Sequence, residues 1–235
     1  MPSEKEVYEK HGVEYEALVS HEDYQGNILK SVKGIVALEG LDVLDLGSGT
    51  GRLACLLAPY VQTMVALDLS PHMLGITHNK LNRLTQDARL PVRWLAAASD
   101  HRFLPVAARS ADLIVSGWSV SYVTVWYPED WRHQADAWLV EARRVLRKSC
   151  TIILYESLGT GYESPQRRAH LDNFYNWLDE KGFKNKWIRT DYQFKSPEKA
   201  SEIAGFFFGV EMKVHILQEQ MTILPECTGV WWLNI

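Results

Sequence analysis

Asp42-Val-Leu-Asp-Leu-Gly-Ser-Gly-Thr-Gly-Arg-Leu-Ala54 decides the fold. Val43, Leu44 and Leu46 make a short apolar run of the kind that forms a buried strand. The run stops at Gly47-Ser48-Gly49-Thr50-Gly51, and Arg52 to Ala58 continues with helical spacing. The reading is strand, glycine turn, helix N-terminus. Alternate glycines let the backbone turn tightly and approach a ligand closely. The helix start adds unpaired N–H groups facing that ligand. A dinucleotide fingerprint is G-x-G-x-x-G, which would need a glycine where this chain has Arg52. Asp45 also stands two residues before the first glycine, where a carboxylate repels a pyrophosphate and suits a cationic group.

Two further segments repeat the pattern of an apolar run ending in a carboxylate. Thr63 to Asp68 is a second strand, with Asp68 at its C-terminal edge, 17 residues after Gly51. Ligands in open α/β sheets bind at the carboxyl ends of strands, and a carboxylate there can accept both hydroxyls of a ribose. Ser70 and Pro71 follow as N-cap and first helical residue. Val92 to Ala98 is a third strand, followed by Ser99, Asp100, His101 and then Leu104-Pro105.

Together these segments resemble class I S-adenosylmethionine (SAM) dependent methyltransferases over about residues 41–156. The resemblance rests on Asp45 to Gly51, on Asp68-Leu69-Ser70-Pro71-His72-Met73, and on Asp100 with Leu104-Pro105. It implies a Rossmann-like, seven-stranded, mostly parallel α/β sheet with helices on both faces, and SAM as cofactor. It implies cofactor contacts from Asp45, Gly47, Ser48, Gly49, Gly51, Arg52, Asp68, Leu69, Met73, Ser99, Asp100, His101, Ser116 and Gly117. Met73 would pack on the adenine and Asp100 would accept from its amino group. Ser99 stands where the family commonly has glycine. In the resembled fold the end of the fourth strand, Ala111 to Ser116, faces the transferred methyl. Here it runs into Gly117-Trp118-Ser119-Val120-Ser121-Tyr122, which matches none of the nucleobase, cytosine or magnesium-dependent catechol signatures. Trp118, Ser119 and Tyr122 are therefore pocket candidates, and Tyr15, Tyr24 and Gln25 are lid candidates from an N-terminal helical cap. Methyl transfer from a sulfonium needs no protein nucleophile. His133, Tyr122, Glu156, Tyr155 and Glu163 are the candidates for a base or an orienting group, and none is singled out.

The division expected is a single domain over 1–235, with a helical cap (1–40), a SAM-binding core (41–156), and a sheet edge carrying a helical insertion (157–235). Helical spacing is read around Val7-Tyr8 and Tyr15 to Val19, over Pro128 to Arg147, from Ser164 to about Lys181, and from Ser196. Thr151 to Glu156 is read as the fifth strand, Lys186 to Phe194 as the sixth and Val230 to Leu233 as the last. Pro225 to Gly229 is read as a turn. Phe206-Phe207-Phe208 is a buried plug or a pocket wall.

The formal charge of −4 gives no electrostatic footprint for nucleic acid. No apolar stretch approaches the roughly 20 residues of a membrane span. The polar start Met1-Pro-Ser-Glu-Lys-Glu6 is not a signal peptide. The 3 cysteines are far apart and fit reduced thiols in a cytoplasmic protein, and no His or Cys spacing suggests a metal. Nine Trp and ten Tyr are enough to pack a core and wall a pocket. The expectation is a SAM-dependent methyltransferase acting on a small-molecule acceptor. A non-catalytic SAM-binding module and an NAD-dependent oxidoreductase are the alternatives.

Overall fold

The apolar run before the glycines forms strand β1, Asp42–Leu46, buried from Val43 onward. In the computed structural model, which describes residue 6 and residues 10–235, β1 lies at the centre of a seven-stranded sheet. Val7 and Tyr8 lie outside the described residues. Strand β1 pairs in parallel with β2, Thr63–Asp68, on one side and with β4, Ala111–Gly117, on the other. β3, Arg93–Ala98, and β5, Leu146–Thr160, extend the parallel sheet outward. β6, Lys184–Arg189, closes the far edge, and the last strand runs antiparallel between β5 and β6. With a two-residue pair formed by β7, Tyr192–Gln193, and β8, Ile223–Leu224, that last strand is β9, Glu226–Asn234, and the main order is β3-β2-β1-β4-β5-β9-β6. The order reverses between β1 and β4. This switch point leaves a crevice at the carboxyl ends of those strands, where the glycine turn sits.

Helices cover both faces. In chain order they are α1 Gly12–Val19, α2 Asn27–Lys33, α3 Arg52–Leu57, α4 Pro71–Asp87, α5 Val123–Trp126, α6 Trp131–Val145, α7 Asp172–Glu180 and α8 Pro197–Gln218. Successive strand residues point to opposite faces. Ile152 and Leu154 therefore pack with Trp138, Phe174 and Trp177 from α6 and α7. Ile153 and Tyr155 pack with Ile28, Val32, Leu57 and Leu81 from α2, α3 and α4. A third cluster joins α1, α8 and the small β7–β8 pair through Leu18, Tyr192, Phe194, Ile203 and Ile216.

Several boundaries differ from the sequence reading. Strand β5 begins at Leu146, before the expected Thr151, and continues past Glu156 to Thr160. The sixth strand divides into β6 and β7. The 225–229 turn is instead the entry of β9, where a side chain in place of Gly229 would collide with the Trp231 ring. The α7 helix starts at Asp172 rather than Ser164, because Gln166 N–H is drawn to Leu158 O at 2.5 Å. Ser70 and Ser196 do cap their helices, accepting from Met73 N–H and Lys199 N–H. Phe207 and Phe208 pack half-buried on the third cluster, and Gly209 kinks α8 just beyond them.

The cap is tied to the sheet through one buried chain of hydroxyls. Ser31 Oγ donates to Ile28 O at 2.7 Å, and the Tyr155 hydroxyl lies 2.7 Å from Ser31 Oγ. Tyr155→Phe leaves Ser31 without that partner and keeps the ring packing. It is expected to lower unfolding stability by about 1 kcal/mol in a denaturant titration. An unchanged midpoint would show that this tie contributes nothing.

Candidate functional site

A cavity of about 700 Å³ opens at the carboxyl ends of β1, β2 and β4. The glycine turn forms its floor. Gly47 and Ser48 N–H both donate to Leu67 O, which clips the turn onto β2. Gly47 has φ +71°, and a side chain there would drive into Ser119. Gly51 has φ +81° and lies against Thr77 of α4, whose hydroxyl donates to Gly49 O at 2.7 Å. These two positions accept no side chain, so the turn packs this tightly only with glycine there.

Carboxylates surround this floor. Asp45 Oδ2 accepts Ala54 N–H at 2.9 Å, while its Oδ1 is buried with no partner. Burial, reinforced by the charge of Asp68, pushes the Asp45 carboxyl up to about 7. Asp68 Oδ2 accepts from Gly49 N–H at 2.8 Å and Oδ1 from Ser70 N–H at 2.8 Å. Each Asp68 oxygen keeps a further lone pair for a ligand. Asp100 is gripped by Arg102, which donates through Nε to Oδ1 at 2.9 Å and through Nη2 to Oδ2 at 2.5 Å. That hydrogen bonding holds Asp100 below the usual carboxylate range. Burial holds His101, beside it, below the usual histidine range.

The opposite wall comes from the end of β4 and the turn after it. Trp118 has φ +50°, an outlier for a bulky side chain. It is held there by a hydrogen bond from its N–H to Tyr155 O at 2.7 Å, by stacking on Tyr155, and by the Arg52 guanidinium 4.3 Å above its ring. Arg52 Nη1 in turn donates to Glu22 at 2.6 Å, and Glu22 also accepts from the Thr190 hydroxyl at 3.0 Å. Arg52 Nη2 is buried without a partner. Tyr15 of α1 closes the cavity from above and packs edge-on against Phe207. Burial raises its hydroxyl to about 12.

Of the residues singled out from sequence, Asp45, Gly47, Ser48, Gly49, Arg52, Asp68, Leu69, Asp100, His101, Gly117, Trp118, Ser119, Tyr122 and Tyr15 line this cavity. Gly51, Met73, Ser99 and Ser116 stand behind the wall. Met73 is fully buried, and Ser116 Oγ is turned away to donate to Leu46 O at 2.6 Å. Tyr24 is exposed and bonded to Gln25, so neither is a lid over the cavity. The loop instead turns Glu22 inward by a bridge to Tyr192. His133 is exposed and pairs with Asp130. Glu163 is exposed as well. Tyr155 supports Trp118 from behind. Glu156 is buried off the cavity, where both oxygens accept from Ser121, and burial pushes its carboxyl up to about 7. Residues missed include Thr50, Arg102, Trp126, Tyr127 and Trp138, all on the wall. The proximity of Arg102 to Asp100 was the one available signal among them.

The unpartnered buried atoms Asp45 Oδ1, Ser48 Oγ and Thr50 Oγ1 cluster at the glycine turn. A ligand with a cationic group and further polar atoms would satisfy them. A Cβ at Gly49 would meet only Tyr15, at 3.9 Å, so there is room for it beside that glycine. Such a donor and acceptor set fits the amino acid end of SAM.

A family model described as a methyltransferase domain matches residues 44–154. No curated protein matches the chain in sequence. Among solved structures, the YcgJ protein of Bacillus subtilis superposes with a TM-score of 0.57 at 15% identity, over 90% of this chain and 98% of that one. A SAM-dependent methyltransferase from Aquifex aeolicus gives 0.54 at 16% identity, over 88% of each chain. A protein from Bacillus halodurans described as a candidate methyltransferase gives 0.53 at 17% identity, over 88% of this chain and 97% of that one. At these identities the likenesses establish the fold, and the family match adds the activity class. Residues 44–154 match a methyltransferase domain, carried on a fold that this chain shares with S-adenosylmethionine-dependent methyltransferases.

Proposed function

We propose that the protein transfers a methyl group to a small-molecule acceptor by direct in-line displacement, and that the whole chain works as one unit in the cytoplasm. The observation that carries this reading is the set of unpartnered buried polar atoms at the glycine turn, beside an Asp68 held in place by two backbone N–H groups. Asp45, Ser48 and Thr50 hold the amino acid end of the cofactor, and Arg52 Nη2 reaches its carboxylate. Asp68 accepts from the ribose hydroxyls. Leu69, Asp100 and His101 border the base.

When bound, SAM supplies a methyl already activated by its sulfonium. The acceptor's lone pair forms the new bond to carbon as the carbon–sulfur bond breaks. The protein's work is to bring the two into line and keep water out, which is worth roughly 7–11 kcal/mol in favourable cases. Trp118, held in its left-handed conformation, and Tyr15 supply the walls for that alignment. The cavity volume lies in the range of small-molecule sites. A charge of −4 offers nothing to attract a tRNA. The described Cys55, Cys150 and Cys227 are all free, which suits a reducing compartment. No helix among the described residues is long and apolar enough to cross a membrane.

Asp45 gives this reading a pH signature. Its carboxyl sits at about 7 when the site holds no cation, so near pH 7 it is partly protonated. A cationic group placed against it favours the ionised form and expels the proton. Calorimetric heats of SAM binding at pH 7 are then expected to vary with the ionisation enthalpy of the buffer, and affinity should rise with pH up to about 8. Asp45→Asn should abolish the buffer dependence. Buffer-independent heats in the wild type would remove Asp45 from the ammonium site.

The function itself is tested with methyl-labelled SAM and a cell extract divided into small-metabolite, protein and RNA fractions. Label is expected in the small-metabolite fraction only. Label in protein or RNA would overturn the acceptor class, and no transfer from an enzyme that binds the cofactor would overturn the transfer activity.

A further inference from the structure

The three cofactor motifs account for one side of the cavity, including all of its carboxylates: Asp45, Asp68 and Asp100. The other side is built from residues 117–127 and Trp138 and contains no acidic residue. Its surface is aromatic. Trp118 and Tyr127 flank it, and Tyr122 stacks on Trp126 with 5.4 Å between ring centroids.

Aromatic walls can receive either cations or flat rings, and here the protein's own cations decide between them. Arg52 lies over Trp118 at 4.3 Å, and Arg102 lies over Tyr127 at 4.9 Å. Two of the ring faces are thus already occupied by guanidinium groups. A cationic acceptor would find those two faces already taken by guanidinium groups. The nearby Asp100 offers no relief, because Arg102 already grips both of its oxygens. A neutral or anionic ring does not need those faces and can pack against the ring edges and the Tyr122–Trp126 pair.

A second, independent observation concerns polarity. Trp138 lines this side of the cavity and is 1% exposed, yet its Nε1–H is buried with no hydrogen-bond partner. Buried indole N–H groups ordinarily find an acceptor. The group missing here is therefore an acceptor atom, not a donor. Trp177, packed in the same core, has its own indole N–H paired with Asp136 at 3.0 Å. Of these two core tryptophans, the one with the unpaired N–H is the one that lines the cavity.

We propose that the methyl acceptor is a flat aromatic molecule, neutral or anionic, that lies against the Trp118–Tyr127 wall and accepts a hydrogen bond from Trp138 Nε1 through a carbonyl or phenolic oxygen. This rests on the methyltransferase reading above and names the substrate class for the same site.

The test uses full-length protein saturated with S-adenosylhomocysteine, so that the cofactor side is filled. Two probes of similar size are titrated calorimetrically: 4-quinolone, which is flat, neutral and carries a ring carbonyl, and tryptamine, which is flat and cationic. 4-Quinolone is expected to bind at least about tenfold more tightly than tryptamine. Trp138→Phe keeps an aromatic ring and removes the N–H. It is expected to weaken 4-quinolone roughly five- to tenfold while S-adenosylhomocysteine binds as before. The proposal is overturned if tryptamine binds as well as or better than 4-quinolone, or if 4-quinolone does not bind the saturated enzyme. It is also overturned if Trp138→Phe leaves 4-quinolone unaffected, or weakens S-adenosylhomocysteine instead, which would assign the N–H to the cofactor. The probe comparison needs only wild type, so a variant that does not fold leaves it standing. Failure of S-adenosylhomocysteine to bind at all would count against the methyltransferase reading itself.

Discussion

Arg52 and Glu22 form an ion pair at 2.6 Å with almost no solvent access to the carboxylate, and the site is arranged around it. Arg52 is the first residue of the helix after the glycine turn. Glu22 belongs to the loop after the cap helix, and it also takes a hydrogen bond from Thr190 between β6 and β7. The guanidinium covers Trp118 at the end of β4. One pair thus fixes four segments that are far apart in sequence. Removing two charges from water costs several kcal/mol per ion, which the attraction between them roughly offsets. Its contribution is better seen as positional: it holds Trp118 in a backbone conformation that a bulky residue otherwise avoids. Removing Glu22 alone would leave a buried guanidinium with neither terminal nitrogen paired.

The same pair joins the two halves of the cavity. On one side are the glycine floor and three carboxylates, each positioned by backbone or by an arginine. On the other is an aromatic wall without negative charge. A cation is welcome at Asp45 and unwelcome at Trp118.

The first five strands and the central turn were legible in the sequence because they depend on local patterns. Short apolar runs ending in Gly or Asp are strands entering a parallel sheet, and the seven-stranded sheet is borne out. Ser-Pro caps were legible at Ser70 and Ser196 but misleading at Ser164, where tertiary hydrogen bonding to β5 keeps the chain extended. Gly229 carried a turn signal, although its lack of a side chain serves close packing under Trp231. The cavity's second side was much less visible. Arg102 and Trp138 reach it from a turn and a helix face, Glu22 backs it from a loop through Arg52, and no periodicity marks which loop residue turns inward. Tyr24 and Glu22 stand two positions apart in the same polar loop. Only the bridge from Glu22 to Tyr192, a contact across 170 residues, decides between them.

The central claim is that the floor between Asp45 and Asp68 holds S-adenosylmethionine. The most direct measurement is calorimetric titration of wild type and Asp68→Ala with S-adenosylhomocysteine, on protein shown to be folded and free of co-purified ligand. Binding in the micromolar range by wild type, weakened at least about tenfold in Asp68→Ala, is the expected result, since the variant loses the acceptors for both ribose hydroxyls. No binding by wild type, or equal binding by the two proteins, would contradict the account.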